Sequence, residues 1–338
     1  LTGAGTGDGT TDDTSALNIF LSDNAGESVR ILAGNYKVTG TIAIPANTTV
    51  FAYGARIFDT TTDRTLLTMT NGSKVLGLEL EGAGHNPINA DGKGIVIEGA
   101  DADNYKSNMI IQDCYIHDMG FYGIYNKFVE NLKILNTRMF NLGAGAYVGL
   151  SVKEVHADHC WVKSITGDAS DNGYGFAFTR LANTSNTTTN PFSTDCSVIN
   201  SRIEDITIWE GLDAHAGMGI SFIGNVIRNC KTGIRLGGTT GDAGVQFGAS
   251  SNCCVIGNSI YGIGTGNGIG VGGSSERQGY GNVVSGNSVY TAGIDDSSAN
   301  GAIHASYNDG ISVTGNSVYQ PYSNGIVFNY NNDGFTCT

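Results

Sequence analysis

Residues 254–261 read CVIGNSIY, and close variants stand at 220–227 (ISFIGNVI), 283–290 (VVSGNSVY) and 312–319 (SVTGNSVY). The asparagine of this pattern recurs at positions 225, 258, 287 and 316, in steps of 33, 29 and 29. Such steps, with short apolar runs and no helical period, are typical of a β-solenoid, whose coils bury their apolar faces against one another. Asparagine side chains that hydrogen-bond from coil to coil explain the repeated Gly-Asn. Earlier variants place Asn200, Asn136 and Asp113 at the same position.

A second run begins with glycine in each coil and then alternates. It reads GIYNKF at 123–128, GAYVGL at 145–150, GFAFTR at 175–180, GLDAHA at 211–216, GIRLGG at 233–238, GIGVGG at 268–273 and GIVFNY at 325–330. The first and third residues after each glycine are apolar except Asn126, so with the period of 2 of a strand they form the core. The second and fourth residues then face outward, and among them are Tyr125, Lys127, Tyr147, Thr179, Asp213, His215 and Arg235. His304, in GAIHAS at 301–306, falls at an inward position by the same rule.

The composition supports many short strands joined by tight turns. Of 338 residues, 50 are glycine and 4 are proline, while 40% are hydrophobic and 14% charged. The net charge of −13 disfavours nucleic acid and anionic membranes as partners. The seven cysteines are spread along the chain and are predicted to be small buried hydrophobes without a disulfide framework.

The chain is predicted to form one domain over residues 1–338. Residues 1–60 supply a cap and the first coils, because Asp12, Asp13 or Thr14 can cap a short helix with Leu17, Phe20 and Leu21 on one face. Two polar insertions within 163–195, SITGDASDNGYG and RLANTSNTTTNPFSTD, precede the coil that carries Asp213. Long loops on a solenoid gather on the working face, so these insertions are predicted to flank a groove.

The run Asp8-Gly9-Thr10-Thr11-Asp12-Asp13-Thr14, followed by ILAGNYKVTGTIAIPANTTV, resembles the start of pectate-lyase-like right-handed parallel β-helix proteins. Those families include phage tailspike depolymerases, mannuronan epimerases and secreted polysaccharide lyases and hydrolases. The resemblance implies an all-β, single-stranded right-handed parallel β-helix with a short N-terminal capping helix, and a polysaccharide as partner. A tailspike or capsule depolymerase would also imply an extracellular or virion location and a homotrimer.

Asp213-Ala214-His215 resembles the Asp-Pro-His segment of the mannuronan epimerases. The match is partial, since this chain has Glu210 where that family has Tyr, and Gly237 where its next coil presents Asp. These differences favour cleavage over epimerisation.

The outward column predicts a lyase that cuts an acidic, uronate-containing polysaccharide by β-elimination. His215 would be the base, with Asp213 orienting it, and Arg235 would hold the substrate carboxylate. Tyr147 would donate the proton to the leaving oxygen. Further substrate contacts are predicted from Lys127, Tyr125, Trp209, Glu210, Thr179 and Arg180.

Two alternatives remain open. A glycoside hydrolase would pair Asp213 with Glu210 or with a loop carboxylate, of which Asp168, Asp171 and Asp242 are candidates. A polysaccharide-binding adhesin would use the same scaffold without catalysis. No metal-ligand spacing is present and no cofactor is required, although Ca²⁺ is compatible with this kind of fold.

Overall fold

The computed structural model describes residues 5–61, 64–84, 91–168, 170–181, 186–238, 248–292, 301–330 and 332–338. Over these ranges the chain is a right-handed parallel β-helix of about 12 turns with one short helix. The all-β fold class expected from the repeat is therefore confirmed.

Most coils contain three short strands, and each strand pairs in parallel with its equivalents in the neighbouring coils. We name the three stacks face 1, face 2 and face 3. Face 1 consists of β2 (Ser28–Arg30), β5 (Thr49–Phe51), β8 (Lys74–Leu76), β11 (Lys106–Gln112), β14 (Val129–Leu135), β17 (Lys153–Asp158), β20 (Ser193–Thr194), β21 (Ser197–Ile199), β23 (Gly217–Met218), β24 (Ser221–Ile223), β26 (Cys254–Ile256), β30 (Val283–Ser285), β34 (Ser312–Thr314) and β37 (Thr336–Cys337).

Faces 2 and 3 are continuous with each other, because two long strands, β22 (Arg202–His215) and β25 (Val226–Gly237), run across both. Face 2 also holds β1 (Asp8–Asp12), β3 (Gly34–Lys37), β6 (Ala55–Phe58), β9 (Glu79–Glu81), β12 (Tyr115–His117), β15 (Arg138–Leu142), β18 (Trp161–Ile165), β27 (Ser259–Tyr261), β31 (Ser288–Tyr290) and β35 (Ser317–Tyr319). Face 3 also holds β4 (Ile42–Ala43), β7 (Thr65–Thr68), β10 (Lys93–Glu98), β13 (Tyr122–Lys127), β16 (Gly145–Leu150), β19 (Tyr174–Thr179), β28 (Ile269–Gly272), β32 (Gly301–Ser306) and β36 (Asn324–Asn329). A separate parallel pair joins β29 (Gly279–Tyr280) and β33 (Asn308–Asp309).

A single hydrophobic core runs along the axis, built from the inward residues of all three faces. Its middle contains an aromatic stack: Tyr147 lies 5.6 Å from Phe176 and 5.4 Å from Phe178, and Phe178 lies 6.4 Å from Phe222, between ring centroids. All four side chains are fully buried. This stack lies directly beneath the part of face 3 that carries Asp213.

The repeated asparagines form a buried ladder inside the turn between faces 1 and 2. Asn258 Oδ1 accepts hydrogen bonds from the backbone N–H of Asn225 at 2.9 Å and from its Nδ2 at 3.0 Å. In the same way, the backbone N–H and Nδ2 of Asn258 each donate to Asn287 Oδ1 at 2.9 Å. Asn287 Nδ2 donates in turn to Asn316 Oδ1. The predicted coil-to-coil role of these residues is confirmed.

Replacing Asn258 by Ala is expected to lower the free energy of unfolding by about 2–3 kcal/mol, because the buried donors of Asn225 lose their acceptor. Urea unfolding of the full chain measures this loss. Asn316→Ala is the control, since Asn316 lies at the less buried end of the ladder and should cost less. Equal losses in the two variants would contradict the account.

In the earlier variants of the pattern, the predicted Asn or Asp lies one position before the ladder residue. Asn200, Asn136 and Asp113 have φ of 49°, 45° and 55°, so they take the left-handed position that Gly224 takes before Asn225. The ladder position in the coil of Asn200 belongs to Ser201, whose backbone N–H bonds Asn225 Oδ1 at 3.0 Å. Asparagine and aspartate tolerate a left-handed conformation, which explains the substitution for glycine.

The capping helix α1 (Thr14–Asp23) closes the first coil with Leu17 and Leu21 buried, as predicted. Asp13 is the N-cap residue but its side chain makes no cap hydrogen bond. Its carboxylate instead accepts the backbone N–H groups of Thr6 at 2.7 Å and Gly7 at 3.0 Å, which ties the leading segment to the helix.

The cysteines are unpaired thiols. Five of the seven are buried, Cys254 is partly exposed and Cys337 is exposed. Burial raises the pKa of the Cys114 and Cys160 thiols to about 12, so these two stay protonated and unreactive. No helix in the described ranges has the length and apolar content needed to cross a membrane.

Candidate active site

The candidate site lies where β22 and β25 pass along face 3. Asp213 of β22 pairs in register with Arg235 of β25. Leu212 and Ala214 are fully buried core residues, so Asp213 and His215, which alternate with them, face away from the core. The structure places the three ionisable side chains on one wall, as the alternation predicts.

Glu210 joins this wall from the position before a corner glycine. The Cα of Gly211 faces the interior, because a Cβ added there would lie 3.0 Å from Ile227 Cγ2. Glu210 therefore turns outward. One ligand atom from each of Glu210, Asp213 and His215 lies within 4.8 Å of the other two.

The cluster is largely closed to water. Asp213 is 1% exposed and Glu210 is 6% exposed. His215 Nδ1 lies 3.1 Å from Asp213 Oδ2, an ion-pair contact without hydrogen-bond alignment. Within the described part of the chain, Oδ1 of Asp213 and Oε2 of Glu210 have no hydrogen-bond partner, and Oδ2 of Asp213 has only the contact with His215. Unpaired buried oxygens cost free energy, so they indicate a ligand that supplies the missing bonds.

The protonation states follow from this burial. Burial, reinforced by the neighbouring Asp213 charge, raises the pKa of Glu210 to about 8. Burial alone would lower the pKa of His215, but the Asp213 carboxylate outweighs it and raises the pKa to about 9. At neutral pH, Glu210 is therefore a neutral acid and His215 is an imidazolium.

The Arg235 side chain passes over two glycines, Gly237 in its own strand and Gly270 in the next coil. A Cβ on Gly237 would meet Arg235 Nε at 3.1 Å, and a Cβ on Gly270 would meet its Nη1 at 3.0 Å. Side chains at these positions would displace the guanidinium, so the glycines give it room. No hydrogen bond or ion pair joins Arg235 to another described residue. Among the described residues, its five N–H donors therefore have no acceptor.

His304 extends the same wall. Arg235 pairs in register with Gly270, and Gly270 pairs with His304, so the expectation of an inward His304 is wrong. Its Nε2 is buried and has no hydrogen-bond partner in the described ranges. Burial, with the charge of Arg235, lowers the pKa of His304 to about 4, which leaves a neutral imidazole beside the guanidinium.

A groove of about 630 Å³ covers Asp213 and His215. Trp209 and Thr179 line it, as predicted, together with two unpredicted tyrosines, Tyr122 and Tyr174. Trp209 also packs under the Lys231 ammonium, which lies 4.4 Å from its ring centroid. The groove thus combines aromatic faces with a small charged cluster at its floor.

Tyr147 is not part of this groove, and its predicted role as proton donor is wrong. Tyr147 pairs in register with Ile124 of the core, is fully buried, and receives a 3.3 Å hydrogen bond from Asn126 Nδ2. Burial raises its pKa well above the ordinary tyrosine range. Val148 takes the outward position instead.

The remaining predicted contacts divide into two groups. Tyr125 and Lys127 alternate with core residues of β13 and lie outward, three coils before Asp213 and His215. Arg180 is a correction: it is 3% exposed, donates to the carbonyl of Asn190 at 2.9 Å and stacks on Phe192, so it holds the insertion and does not face the groove.

The loop carboxylates are weaker partners for Asp213 than Glu210 is. Asp168 lines the groove, but its Oδ1 already accepts the backbone N–H of Ser170 at 2.8 Å and of Asn172 at 3.0 Å. Asp171 is exposed. Asp242 lies outside the described residues. Glu210 is the carboxyl group that reaches Asp213.

The missed tyrosines carried a recognisable signal. Tyr122, Tyr174 and Glu210 form one register column through Gly145. Tyr122, Tyr174 and Glu210 each directly precede the corner glycine of their coil. The residue before that glycine must face outward, so Tyr-Gly and Glu-Gly pairs mark the edge of the wall.

Glu210, Asp213 and His215 offer three ligand atoms to a metal ion. Ca²⁺ prefers six to eight oxygen ligands. Two carboxylates and an imidazole do not fit that preference, so the donor set gives no support for Ca²⁺ at this site.

The comparisons with known proteins identify the fold class. No protein-family model and no curated protein sequence matches the chain. Solved structures do match, and they show the right-handed parallel β-helix fold expected from the N-terminal resemblance.

Three of these structures illustrate the range of proteins with this fold. The endo-xylogalacturonan hydrolase from Aspergillus tubingensis is 15% identical over 100% of this chain and 98% of its own, with a TM-score of 0.56. The Streptococcus pneumoniae surface protein and adhesin PfbA is 12% identical over 100% of this chain and 99% of its own, with a TM-score of 0.54. The Dettilon tailspike protein is 16% identical over 93% of this chain and 66% of its own, with a TM-score of 0.59.

Proposed function

We propose that the protein is a glycoside hydrolase that cleaves an acidic polysaccharide, with Glu210 as general acid and Asp213 as the ionised catalytic carboxylate. The observation that carries the proposal is the buried pair itself. Glu210 and Asp213 offer oxygens within 4.8 Å of each other, both have oxygens without hydrogen-bond partners, and burial raises the pKa of Glu210 to about 8.

Each carboxyl group has the surroundings its role requires. A general acid must be protonated at the working pH, and burial keeps the proton on Glu210. The second group must be charged, and the imidazolium of His215 stabilises a negative Asp213 at 3.1 Å. Because oxygens of the two carboxyl groups lie within 4.8 Å of each other, Asp213 attacks the sugar directly, while Glu210 protonates the leaving oxygen.

The charges around the pair favour an acidic substrate. Arg235 has open donors and lies next to Asp213, where it can hold a sugar carboxylate in a bidentate grip. Lys127 adds a cation farther along the wall. Tyr122, Tyr174 and Trp209 supply aromatic faces for sugar rings. Matches to polysaccharide-acting proteins of the same fold add support at the level of architecture.

Elimination is the second candidate, and the open guanidinium of Arg235 favours it because a lyase must neutralise a uronate carboxylate. It requires His215 to accept a proton. Asp213 keeps His215 protonated up to about pH 9, so this reaction would need alkaline conditions.

Cleavage is expected to fall about tenfold per pH unit above about pH 8, because hydrolysis needs protonated Glu210. Elimination would instead rise toward about pH 9 as His215 loses its proton. The measurement is kcat/KM against pH on an acidic polysaccharide. In the Arg235→Gln variant, the fall of kcat/KM at alkaline pH should begin at a higher pH, since the charge of Arg235 lowers the pKa of Glu210 in the native chain. If kcat/KM of this variant fell at the same pH as in the native chain, Glu210 would not be the group whose titration causes the fall.

The products separate the candidate functions. Hydrolysis releases reducing ends without new ultraviolet absorbance, whereas elimination creates a conjugated double bond that absorbs. A binder retains the polymer and yields neither. The location outside the cell or on a virion, and a homotrimer, belong to the tailspike form of this proposal, and light scattering of the purified chain tests the trimer.

A further inference from the structure

A second charged cluster lies on face 2, away from the proposed catalytic groups. Glu81 of β9 pairs in register with His117 of β12, and Glu79 lies two residues before Glu81 on the same side of its strand. One ligand atom from each of Glu79, Glu81 and His117 lies within 4.8 Å of the other two. We propose that this cluster is a binding site for a first-row divalent metal ion, Zn²⁺ by preference.

The orientation of His117 is the first argument. Its Nδ1 lies 2.7 Å from Asp118 Oδ2, and Asp118 is itself held by a hydrogen bond from Asn141. The ring of His117 also stacks on Tyr115, with 4.1 Å between centroids. A histidine that donates one ring N–H to a carboxylate and presents the other nitrogen is the usual arrangement of a metal ligand.

The geometry around Nε2 is the second argument. His117 Nε2 lies 3.3 Å from Glu79 Oε1 and 3.9 Å from Glu81 Oε2. When the Nδ1 proton of His117 points to Asp118, the Nε2 lone pair faces two carboxylates, an arrangement that a bound cation would stabilise. Zinc bonds of about 2.0–2.1 Å put neighbouring ligand atoms about 3.3 Å apart in a tetrahedron.

The charges around the cluster are the third argument. Two carboxylates, Glu79 and Glu81, share the Arg56 guanidinium, whose Nη2 lies 2.5 Å from Glu81 Oε2. Asp118 contacts His117 instead, and Arg138 lies over the Tyr115 ring on which His117 stacks. One guanidinium for two carboxylates leaves negative charge next to His117 Nε2, which a bound cation would offset.

Another cluster, four coils further along face 2, shows how the chain neutralises a carboxylate with its own side chains. Buried Glu204 forms ion pairs with two guanidiniums, those of Arg202 and Arg228. The chain therefore neutralises a carboxylate with arginine where no ion is needed. At Glu79 and Glu81 one arginine, Arg56, serves two acids, and a histidine lies beside them.

The site has an open side. A groove of about 520 Å³ adjoins it, lined by Arg56, Phe58, Glu81, Gly82 and Asp118 among others. Gly82 lets its coil pack closely on the next one, because a Cβ there would lie 2.4 Å from the carbonyl oxygen of Asp118. Three protein ligands with water in the fourth position is the coordination of an accessible zinc site. An imidazole among the ligands favours Zn²⁺ over Ca²⁺ or Mg²⁺.

The direct test is diffraction. Crystals of the full chain soaked in Zn²⁺ and measured at the zinc absorption edge should show an anomalous peak between His117 Nε2, Glu79 and Glu81. This readout needs no variant. A peak absent from this position, or present only at His215, would overturn the proposal.

Calorimetric titration of the metal-stripped chain with Zn²⁺ gives the matching affinity test. Glu79→Gln and His117→Gln should weaken binding by about a hundredfold or more, and Asp118→Asn by about tenfold to a hundredfold. His159→Gln is the matched control, because His159 also pairs with a neighbouring acid, Asp158, at 2.7 Å. Its affinity should equal that of the native chain. Unchanged binding in His117→Gln, or Ca²⁺ competing equally with Zn²⁺, would refute the site.

Discussion

Glu210→Gln is expected to lower kcat on the cleaved polysaccharide by about a thousandfold, because the amide cannot donate the proton to the leaving oxygen. The side chain keeps its size, so substrate binding and KM should change little. Asp213→Asn should lower kcat by a similar factor. The kcat of the double variant should equal that of the less active single variant, since the two groups act on one bond. Initial rates of reducing-end release measure all three.

The stability of Glu210→Gln distinguishes a catalytic loss from an unfolded protein. The pKa of Glu210 is raised from 4.5 to about 8 on folding, so the native state binds more protons between these values. Stability therefore falls as pH rises through this window. The Gln variant lacks this loss and should be at least as stable as the native chain above about pH 8. Glu276→Gln, at an exposed turn, is the control and should keep full activity. An active Glu210→Gln enzyme would remove Glu210 from the mechanism.

Phe178→Ala is expected to lower the free energy of unfolding by about 3–5 kcal/mol, the largest stability change we predict. Phe178 is fully buried between Tyr147 and Phe222, and its removal leaves a cavity beneath the candidate site. Urea or guanidinium unfolding measures the change. Phe51→Ala provides the comparison, because Phe51 is 40% exposed and should cost about 1 kcal/mol or less. Equal losses would show that the aromatic stack is not central to the core.

The repeat was sufficient to predict the architecture, because a coil that pairs with identical neighbours imposes the same polar and apolar positions on each turn. The asparagine spacing therefore predicted the buried ladder of Asn225, Asn258 and Asn287. Alternation likewise predicted that Asp213 and His215 share a wall with Arg235. These conclusions depend on short-range sequence alone.

The two errors of orientation have one physical cause. In GAYVGL and GAIHAS the corner that faces the interior is occupied by alanine, Ala146 or Ala302, and not by the preceding glycine. Strand alternation has a period of 2, so a shift of one residue moves every following side chain to the opposite side. Tyr147 is consequently in the core, and His304 is on the wall.

The protonation of Glu210 was beyond sequence reasoning for a different reason. It depends on how completely residues of the neighbouring coil, such as Tyr174, cover the carboxyl group of Glu210. Burial of that kind is a property of the assembled solenoid. The sequence could name Glu210 as a partner of Asp213, but not the pKa of about 8 that assigns its role.

The equal 29-residue increments from Asn258 to Asn287 and from Asn287 to Asn316 have an evolutionary consequence. Each 29-residue segment encodes one complete coil, and its asparagine hydrogen-bonds to the asparagine of the next coil. Tandem duplication or loss of such a segment in the gene would lengthen or shorten the cylinder without creating an unmatched end. The distal part of the molecule can thus change its reach while Glu210 and Asp213 stay as they are.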